Sequence, residues 1–349
     1  MRSILATAIA LPALTACTLA CAQNSVNLSG AVDMYAGYAR SGDSSSLRLL
    51  EGGNTASHIT FSGNEALGAG TRVRFHLEAG INPATGAGTL PGPAFAFSRQ
   101  AYLGLSGPWG QLDGGRMYTP MFYTLLHADP YKVNTVFSPL NLIATVDAQP
   151  GALPFAARAN SILRYRTPAD SKWLADIAYA GGNAGSNNVW GGTFGWNSQP
   201  YYVGYGFQRA RPGSANVSGL ARATTSYQTF SGSYAFKALR LTANYVTVAS
   251  SLQDVPRARL LALGAQYPVT QNSVLTIEAM QRKVQGSNRS QLACTVGYDY
   301  ALSKRTALYS RWLLLNNRGA ASASLAGITV AANSGDDPRV FAIGIRHKF

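Results

Sequence analysis

The sequence predicts an all-β chain, a transmembrane antiparallel barrel of sixteen strands, and three observations carry that prediction. Charged residues make up only 13% of the 349, against about 25% in an ordinary soluble domain. Apolar residues recur at every second position through most of the chain, the period of a strand and not of a helix. No apolar run reaches the roughly 20 residues that a spanning helix needs, although hydrophobic residues total 46% and mean hydropathy is -0.01. The 36 Gly, 18 Tyr and 13 Phe match strands joined by turns and belted with aromatics.

Residues 1–22 read as an export signal. Arg2 gives a basic start, Ile4 to Leu14 an apolar stretch too short to span, and Ala20-Cys21-Ala22 an A-x-A cleavage site before Gln23. Lipoprotein processing at Cys17 or Cys21 is the alternative. Removing the leader leaves residues 23–349 with Cys294 alone, so the mature chain has neither a disulfide nor a cysteine cluster for metal.

The strands then follow in order. Val26, Leu28, Val32, Met34 and Tyr38 alternate with polar or small residues. In 71–79, Val73, Phe75 and Leu77 oppose Arg72, Arg74, His76 and Glu78. The pattern returns at Trp173 to Tyr179, Tyr201 to Phe207, Leu239 to Tyr245, Leu292 to Tyr300 and Phe341 to Ile345. Sixteen such segments start near residues 25, 57, 71, 97, 110, 160, 172, 188, 200, 223, 237, 257, 272, 290, 304 and 338. Short turns (65–70, 106–110, 301–304) take turns with long connections (41–56, 82–96, 181–187, 209–221, 316–337), as in outer-membrane barrels. A secreted β-sandwich is the competing class. Its solvent face would select Lys, Glu and Thr, whereas here the second face is often Gly, Ser, Ala or Tyr.

One connection, 117–157, is 41 residues without alternation, and loops of that length are usually functional. Thr119-Pro120 predicts a helix start, with Thr as N-cap, running through Met121 to Ala128 and stopped by Asp129-Pro130. Met121, Phe122, Leu125, Leu126, Val136, Phe137, Leu142 and Ile143 predict that the segment folds inward, because they would be poorly placed in water.

Particular stretches resemble the general porins of Gram-negative outer membranes, in their beta-proteobacterial branch. They are SVNLSGAVDMYAGYA (25–39), ITFSGNEALGAG (59–70), FSRQAYLGLSGPWG (97–110), DGGRMYTP (113–120), NSILRYRTP (160–168), YALSKRTALYSRW (300–312) and GIRHKF (344–349). The resemblance implies a sixteen-stranded barrel, a homotrimer, and a third external loop, here 117–157, that constricts the pore. It also implies contact with outer-membrane lipid and lipopolysaccharide, and a terminal Phe349 recognised by the barrel-assembly machinery. Two departures stand out: 160–168 carries one residue more than the usual family run, and the loop holds only two acids, Asp129 and Asp147.

Selectivity in such a channel is electrostatic. Alternation aims Arg72, Arg74 and His76 away from lipid, as it does Arg164 and Arg166 opposite Leu163 and Tyr165, and Arg240 between Leu239 and Leu241. Arg116 shares the phase of Leu112; a bulge at Gly114-Gly115 would turn it inward, and the resemblance favours a pore-lining place for it. Losing Arg2 leaves 28 bases against 15 acids, a net +13, which predicts a passive pore for small ions and solutes that favours anions. A substrate-specific channel would instead recruit aromatics such as Tyr102, Tyr118, Phe122, Tyr123 and Tyr131, and an adhesin would use the long loops. No hydrolase, metal or nucleotide motif accompanies His58, His76, His127 or His347, so neither an enzyme nor a cofactor is expected. The basic charge is spread over strands rather than clustered, against a nucleic-acid partner.

Overall fold

Backbone pairing turns the alternating segments into one closed sheet. The computed structural model describes residues 25–89, 95–143, 156–181, 188–211, 224–251, 256–324, 330 and 333–349; the leader and Asp147 lie outside these. The strands are β1 (Ser25–Ser41), β2 (Ser44–Glu51), β3 (His58–Gly68), β4 (Thr71–Gly80), β5 (Gln100–Gly107), β6 (Gly110–Tyr118), β7 (Arg158–Arg166) and β8 (Trp173–Ala180). They continue as β9 (Asn188–Ser198), β10 (Tyr201–Arg211), β11 (Thr225–Phe236), β12 (Leu239–Ser250) and β13 (Ala258–Thr270). The last four are β14 (Ser273–Val284), β15 (Ser290–Ala301), β16 (Thr306–Arg318) and β17 (Arg339–Lys348).

Each strand from β3 onward pairs antiparallel with the next, and β17 returns to pair with β1 from Arg339↔Arg40 to Lys348↔Ala31. Closure of the ring from β3 through β17 to β1 meets the condition for β-strands to cross lipid, while β2 pairs with β1 alone among the described residues. The outer face carries the predicted apolar phase, with Leu103 61%, Leu163 56%, Val203 61% and Ile343 57% exposed. Short turns gather at one end, including the Gly68–Gly70 turn, where φ is positive at Gly68, Ala69 and Gly70 alike.

Seventeen segments make sixteen staves because β2 and β3 share one edge of β1. β2 pairs with Met34 to Ser41 and β3 with Ser25 to Ala31. The expectation of a long connection at 41–56 is thus corrected: the chain turns at once into β2 and leaves the ladder only at residues 52–57. Asp33 explains the break. Its carboxylate accepts the Gly53, Asn54 and Thr55 amides at 3.2, 3.0 and 2.8 Å, and its backbone oxygen takes Gly52 N at 3.1 Å.

The extra residue near 160 is a bulge in β7. Gly115 faces Ile162, but Met117 faces Ala159, and Ser161 has φ 51. The β5–β6 register runs unbroken from Gly107↔Gly110 to Ala101↔Arg116.

The 117–157 segment begins with α1 (Pro120–His127) and includes a short 3-10 helix at Pro139–Ile143. Proline takes the first helical position as predicted. Thr119 holds the N-cap place with extended backbone but makes no side-chain cap; its hydroxyl lies 3.4 Å from the Ala156 and Ala157 carbonyls instead. Met121, Leu125, Val136, Phe137, Leu142 and Ile143 are buried with Tyr227, Val246, Leu260, Met280 and Leu313. Those partners lie on the phase of the strands opposite the exposed apolar row.

Candidate functional site: charges on the inner face

Neighbouring strands place basic and acidic side chains of the inner phase side by side. Arg74 on β4, Gly104 on β5, Asp113 on β6 and Arg164 on β7 stand in direct register. Gly104 makes the first pair possible: a Cβ there would lie 2.0 Å from Asp113 Oδ1, so the carboxylate can lean across β5 only because the position is glycine. Arg74 binds Asp113 bidentately, Nε to Oδ1 at 3.0 Å with Nη2 on Oδ2. Arg166 Nη2 approaches the same Oδ2 at 3.3 Å. Asp113, 1% exposed, therefore serves two arginines that are 21% and 27% exposed.

Arg164 behaves differently. Its guanidinium donates Nε to Asp176 Oδ1 at 2.7 Å and Nη2 to Oδ2, and its Cζ sits 4.3 Å from the Tyr123 ring centre. With only 2% of its side chain exposed, it is a buried, neutralised pair. Nearby, Glu78 accepts Arg99 Nε and, at 2.9 Å, Gln100 Nε2, with His76 Nε2 at 3.2 Å. The Tyr118 hydroxyl accepts from both Arg99 Nη2, at 3.0 Å, and Arg158 Nη2. Arg158 also lies 3.9 Å over the Tyr118 ring, which stacks on Phe122 at 4.1 Å.

Arg72 and Arg240 have no acidic partner among the described residues. Arg72 is exposed beside the Gly68–Gly70 turn. Arg240 donates to Gln266 Oε1 at 3.1 Å and to the His127 carbonyl at 2.5 Å, a cation at the C-terminal end of α1, where the helix dipole favours it. Arg116 keeps the phase of Leu112. Its Nε bonds the Ser98 carbonyl and its Nη1 bonds Asn160 Oδ1 at 2.5 Å. The unbroken β5–β6 register leaves no bulge at Gly114-Gly115 to turn it.

Asp129 is fully buried and acts as a turn acceptor. Its carboxylate takes Tyr131 N at 2.8 Å, Val133 N at 2.5 Å and Ser138 Oγ at 2.6 Å. Burial pushes this carboxyl above the usual aspartate range. The next residues tie the segment to the wall: Tyr131 Oη reaches the Thr276 and Thr295 carbonyls at 2.9 and 3.1 Å, and Asn244 Nδ2 reaches Ala128 O at 2.8 Å. Glycines make room, since a Cβ at Gly206 would meet Thr124 Oγ1 at 2.9 Å and one at Gly264 would meet Pro130 Cγ at 2.7 Å. At the far end of the chain, Phe349 exchanges two 3.1 Å backbone bonds with Gly30, and a Cβ at Gly30 would meet its ring at 2.6 Å.

Asp113, Asp176, Glu78, Arg99 and Arg158 are charged residues of this site that the sequence reading does not assign to the pore. Alternation was enough to find the first three, each on the inner phase opposite an apolar neighbour. Arg99 and Arg158 flank connections, and only the fold brings both to Tyr118.

Comparison with known proteins agrees with this architecture along almost the whole chain. The family model for Gram-negative porins matches residues 6–320. Outer membrane porin protein 32 of Delftia acidovorans is 29% identical over 358 residues, covering 98% of this chain and 99% of that protein. An outer membrane porin of Bordetella pertussis is 25% identical over 387 residues, with 94% and 95% covered. The structure of an anion-selective porin from Comamonas acidovorans superposes with a TM-score of 0.83 at 24% identity, over 94% of this chain and 100% of that one. The trimer form of OmpT from Vibrio cholerae gives 0.70 at 15%, over 93% and 99%. The last two show the fold. A closed sixteen-stranded barrel, an outer apolar phase and an inner phase of charge thus join a family match over most of the sequence: the chain belongs to the Gram-negative porins, of beta-proteobacterial type, and is a passive diffusion channel of the outer membrane.

Proposed function

We propose that this porin passes small anions in preference to cations. The observation that carries the proposal is the surplus of cations on the inner phase: Asp113 is shared by Arg74 and Arg166, while Arg72 and Arg240 form no ion pair with a described acid. A lumen of net positive charge concentrates anions and repels cations. His76, paired with Glu78, adds charge only when protonated. Arg164 supports the wall rather than the field, and Arg116, sharing the phase of Leu112, lies outside the pore lining. The 117–157 segment is the inward-folded third external loop that narrows the passage, a role supported by its buried apolar residues and its bonds to β12, β14 and β15. Asp147 belongs to that loop.

Further parts of the proposal concern assembly. The mature chain starts at Gln23, three copies form the native unit, and Phe349 at the β1–β17 seam is the mark read by the assembly machinery. The outer face meets lipid and lipopolysaccharide, and the chain needs no cofactor and catalyses no reaction. Single-channel current of the refolded protein under a KCl gradient tests the central claim: an anion-favouring reversal potential is expected, and a cation-favouring one refutes it. The stack of Tyr118 on Phe122, with Arg158 above it, favours a second reading, a channel specific for an aromatic or acidic solute. Block of the current by one such solute at micromolar concentration would select it.

A further inference from the structure

One inner row across four strands stays polar beneath the 117–157 segment. Thr242 on β12 faces Gly264 on β13, Gly264 faces Glu278 on β14, and Glu278 faces Thr295 on β15. Thr242, Glu278 and Thr295 are 5%, 1% and 0% exposed. Each keeps one buried oxygen without a hydrogen-bond partner among the described residues: Thr242 Oγ1, Glu278 Oε2 and Thr295 Oγ1. Buried polar atoms left alone cost stability, so the wall by itself does not satisfy this row. The segment is seated directly on it. Pro130 packs on Gly264, and the Tyr131 hydroxyl reaches the Thr295 carbonyl at 3.1 Å. Asp129 precedes both, and its carboxyl meets that of Glu278.

Two carboxyls thus meet where no cation balances them. Among the described residues, neither Asp129 nor Glu278 belongs to an ion pair. The groups around them are engaged elsewhere or carry no charge. Arg311 on β16 binds Asp299 at 2.8 Å. Arg240 on β12 donates to Gln266 and to the His127 carbonyl. β13 presents Gly264, β15 adds the Cys294 thiol, the Tyr131 hydroxyl is spent on carbonyls, and Lys132 is exposed. An ionised carboxylate only accepts hydrogen bonds, whereas a protonated one also donates. Two ionised carboxylates so close and so buried repel strongly. The Asp129 oxygens already accept the Tyr131 and Val133 amides and the Ser138 hydroxyl. The hydrogen between the two acids therefore comes from Glu278.

We propose that Glu278 is a positioning residue of the channel: as a neutral acid it donates to Asp129 and so holds the constricting segment on the wall. Its strand is fixed by ladders to β13 and β15, so the bond joins the loop to the closed sheet. Loss of the Glu278 proton leaves two anions face to face beneath Pro130 and Tyr131, and the segment lifts. The width of the passage is thereby tied to one proton. The inference rests on 117–157 being the constricting loop and is independent of which ions the pore prefers.

The test compares the full-length refolded protein with Glu278→Gln and Glu278→Leu, from neutral to alkaline pH. Glutamine keeps the shape and an N–H to give to Asp129 but cannot ionise; leucine fills the space with nothing to give. Amide exchange at Tyr131 and Val133 reads the seat of the loop, and open-channel noise of single channels reads the passage. In the parent, exchange beyond the intrinsic rate should rise about tenfold or more on the alkaline side, and noise should rise with it. Glu278→Gln should stay slow and quiet throughout. Glu278→Leu should be fast and noisy already at neutral pH, because Asp129 has lost its donor. An alkaline rise that persists in Glu278→Gln, or a Glu278→Leu channel as quiet as Glu278→Gln, overturns the proposal. Heat-resistance in detergent equal to that of the parent verifies that each variant is folded. Exchange that follows the expected pattern while the current stays steady supports the bond and instead removes the segment from the conducting path.

Discussion

Asp113 is the acid that holds down the positive field of the lumen, so the substitution Asp113→Asn should raise anion preference. Arg74 and Arg166 both reach Asp113, and asparagine keeps its size and one acceptor while removing one negative charge. At about 7 Å from an ion on the pore axis, a unit charge in water is worth ~0.6 kcal/mol, and screening at 0.1 M salt halves this to ~0.3 kcal/mol. That energy raises the local anion concentration about 1.7-fold and lowers the cation concentration equally, so the chloride-to-potassium permeability ratio rises about threefold. The cost to folding is small. Both arginines keep access to water, at 21% and 27% exposure, and Gly104 leaves the amide the same space.

The assay is the reversal potential of single channels in a planar bilayer under a tenfold KCl gradient. The variant should move toward the chloride limit, and Arg74→Gln should move the opposite way by a similar factor. Heat-resistance of the barrel in detergent should stay at the parent value for both. An unchanged ratio in Asp113→Asn, with a folded barrel, would refute the premise that this cluster faces the conducting path.

Four further outcomes are expected. Gly264→Val puts a Cβ 2.7 Å from Pro130 Cγ, an overpacking of roughly 1–3 kcal/mol; it should push the loop off its seat and show as lower unitary conductance with greater open-channel noise. Burial raises the Asp129 carboxyl above its ordinary value, so its protonated form favours the folded loop. Its contribution is complete below the ordinary aspartate value and is lost as pH rises through the raised one. Amide exchange at Tyr131 and Val133 should therefore accelerate with pH beyond the intrinsic rate, and Asp129→Asn should abolish the excess. Deleting Phe349 removes the pair of bonds to Gly30 and should slow barrel assembly in cells, read as a larger heat-sensitive unfolded fraction. Arg116→Ala should leave the permeability ratio within experimental error of the parent, unlike Arg74→Gln.

Alternation is a local property, and that is why the staves, and the phase of Arg72, Arg74, Arg164 and Arg166, were legible in the sequence. Exposure along a phase is not local. Arg74 and Arg164 read alike, each flanked by apolar residues, yet Tyr123 from α1 covers one while Gly104 leaves the other open to the lumen. Strand two shows the same limit. Residues 52–57, Gly-Gly-Asn-Thr-Ala-Ser, read as a loop and are one, but the β2 stretch before them reads as part of the same connection. The amides of 53–55 find their acceptor in Asp33, and Asp33 is in turn held by the Tyr309 hydroxyl from β16, which only closure of the barrel brings near. Asp129 reads from the sequence as one of two acids of the constricting loop. Its place before Pro130 and Tyr131 was the better signal, since aspartate at such a turn accepts the backbone amides that follow. The charge that an ion meets in this channel is therefore set by relations among β4, β6 and β7, with glycine on the strand between as the condition for the contact.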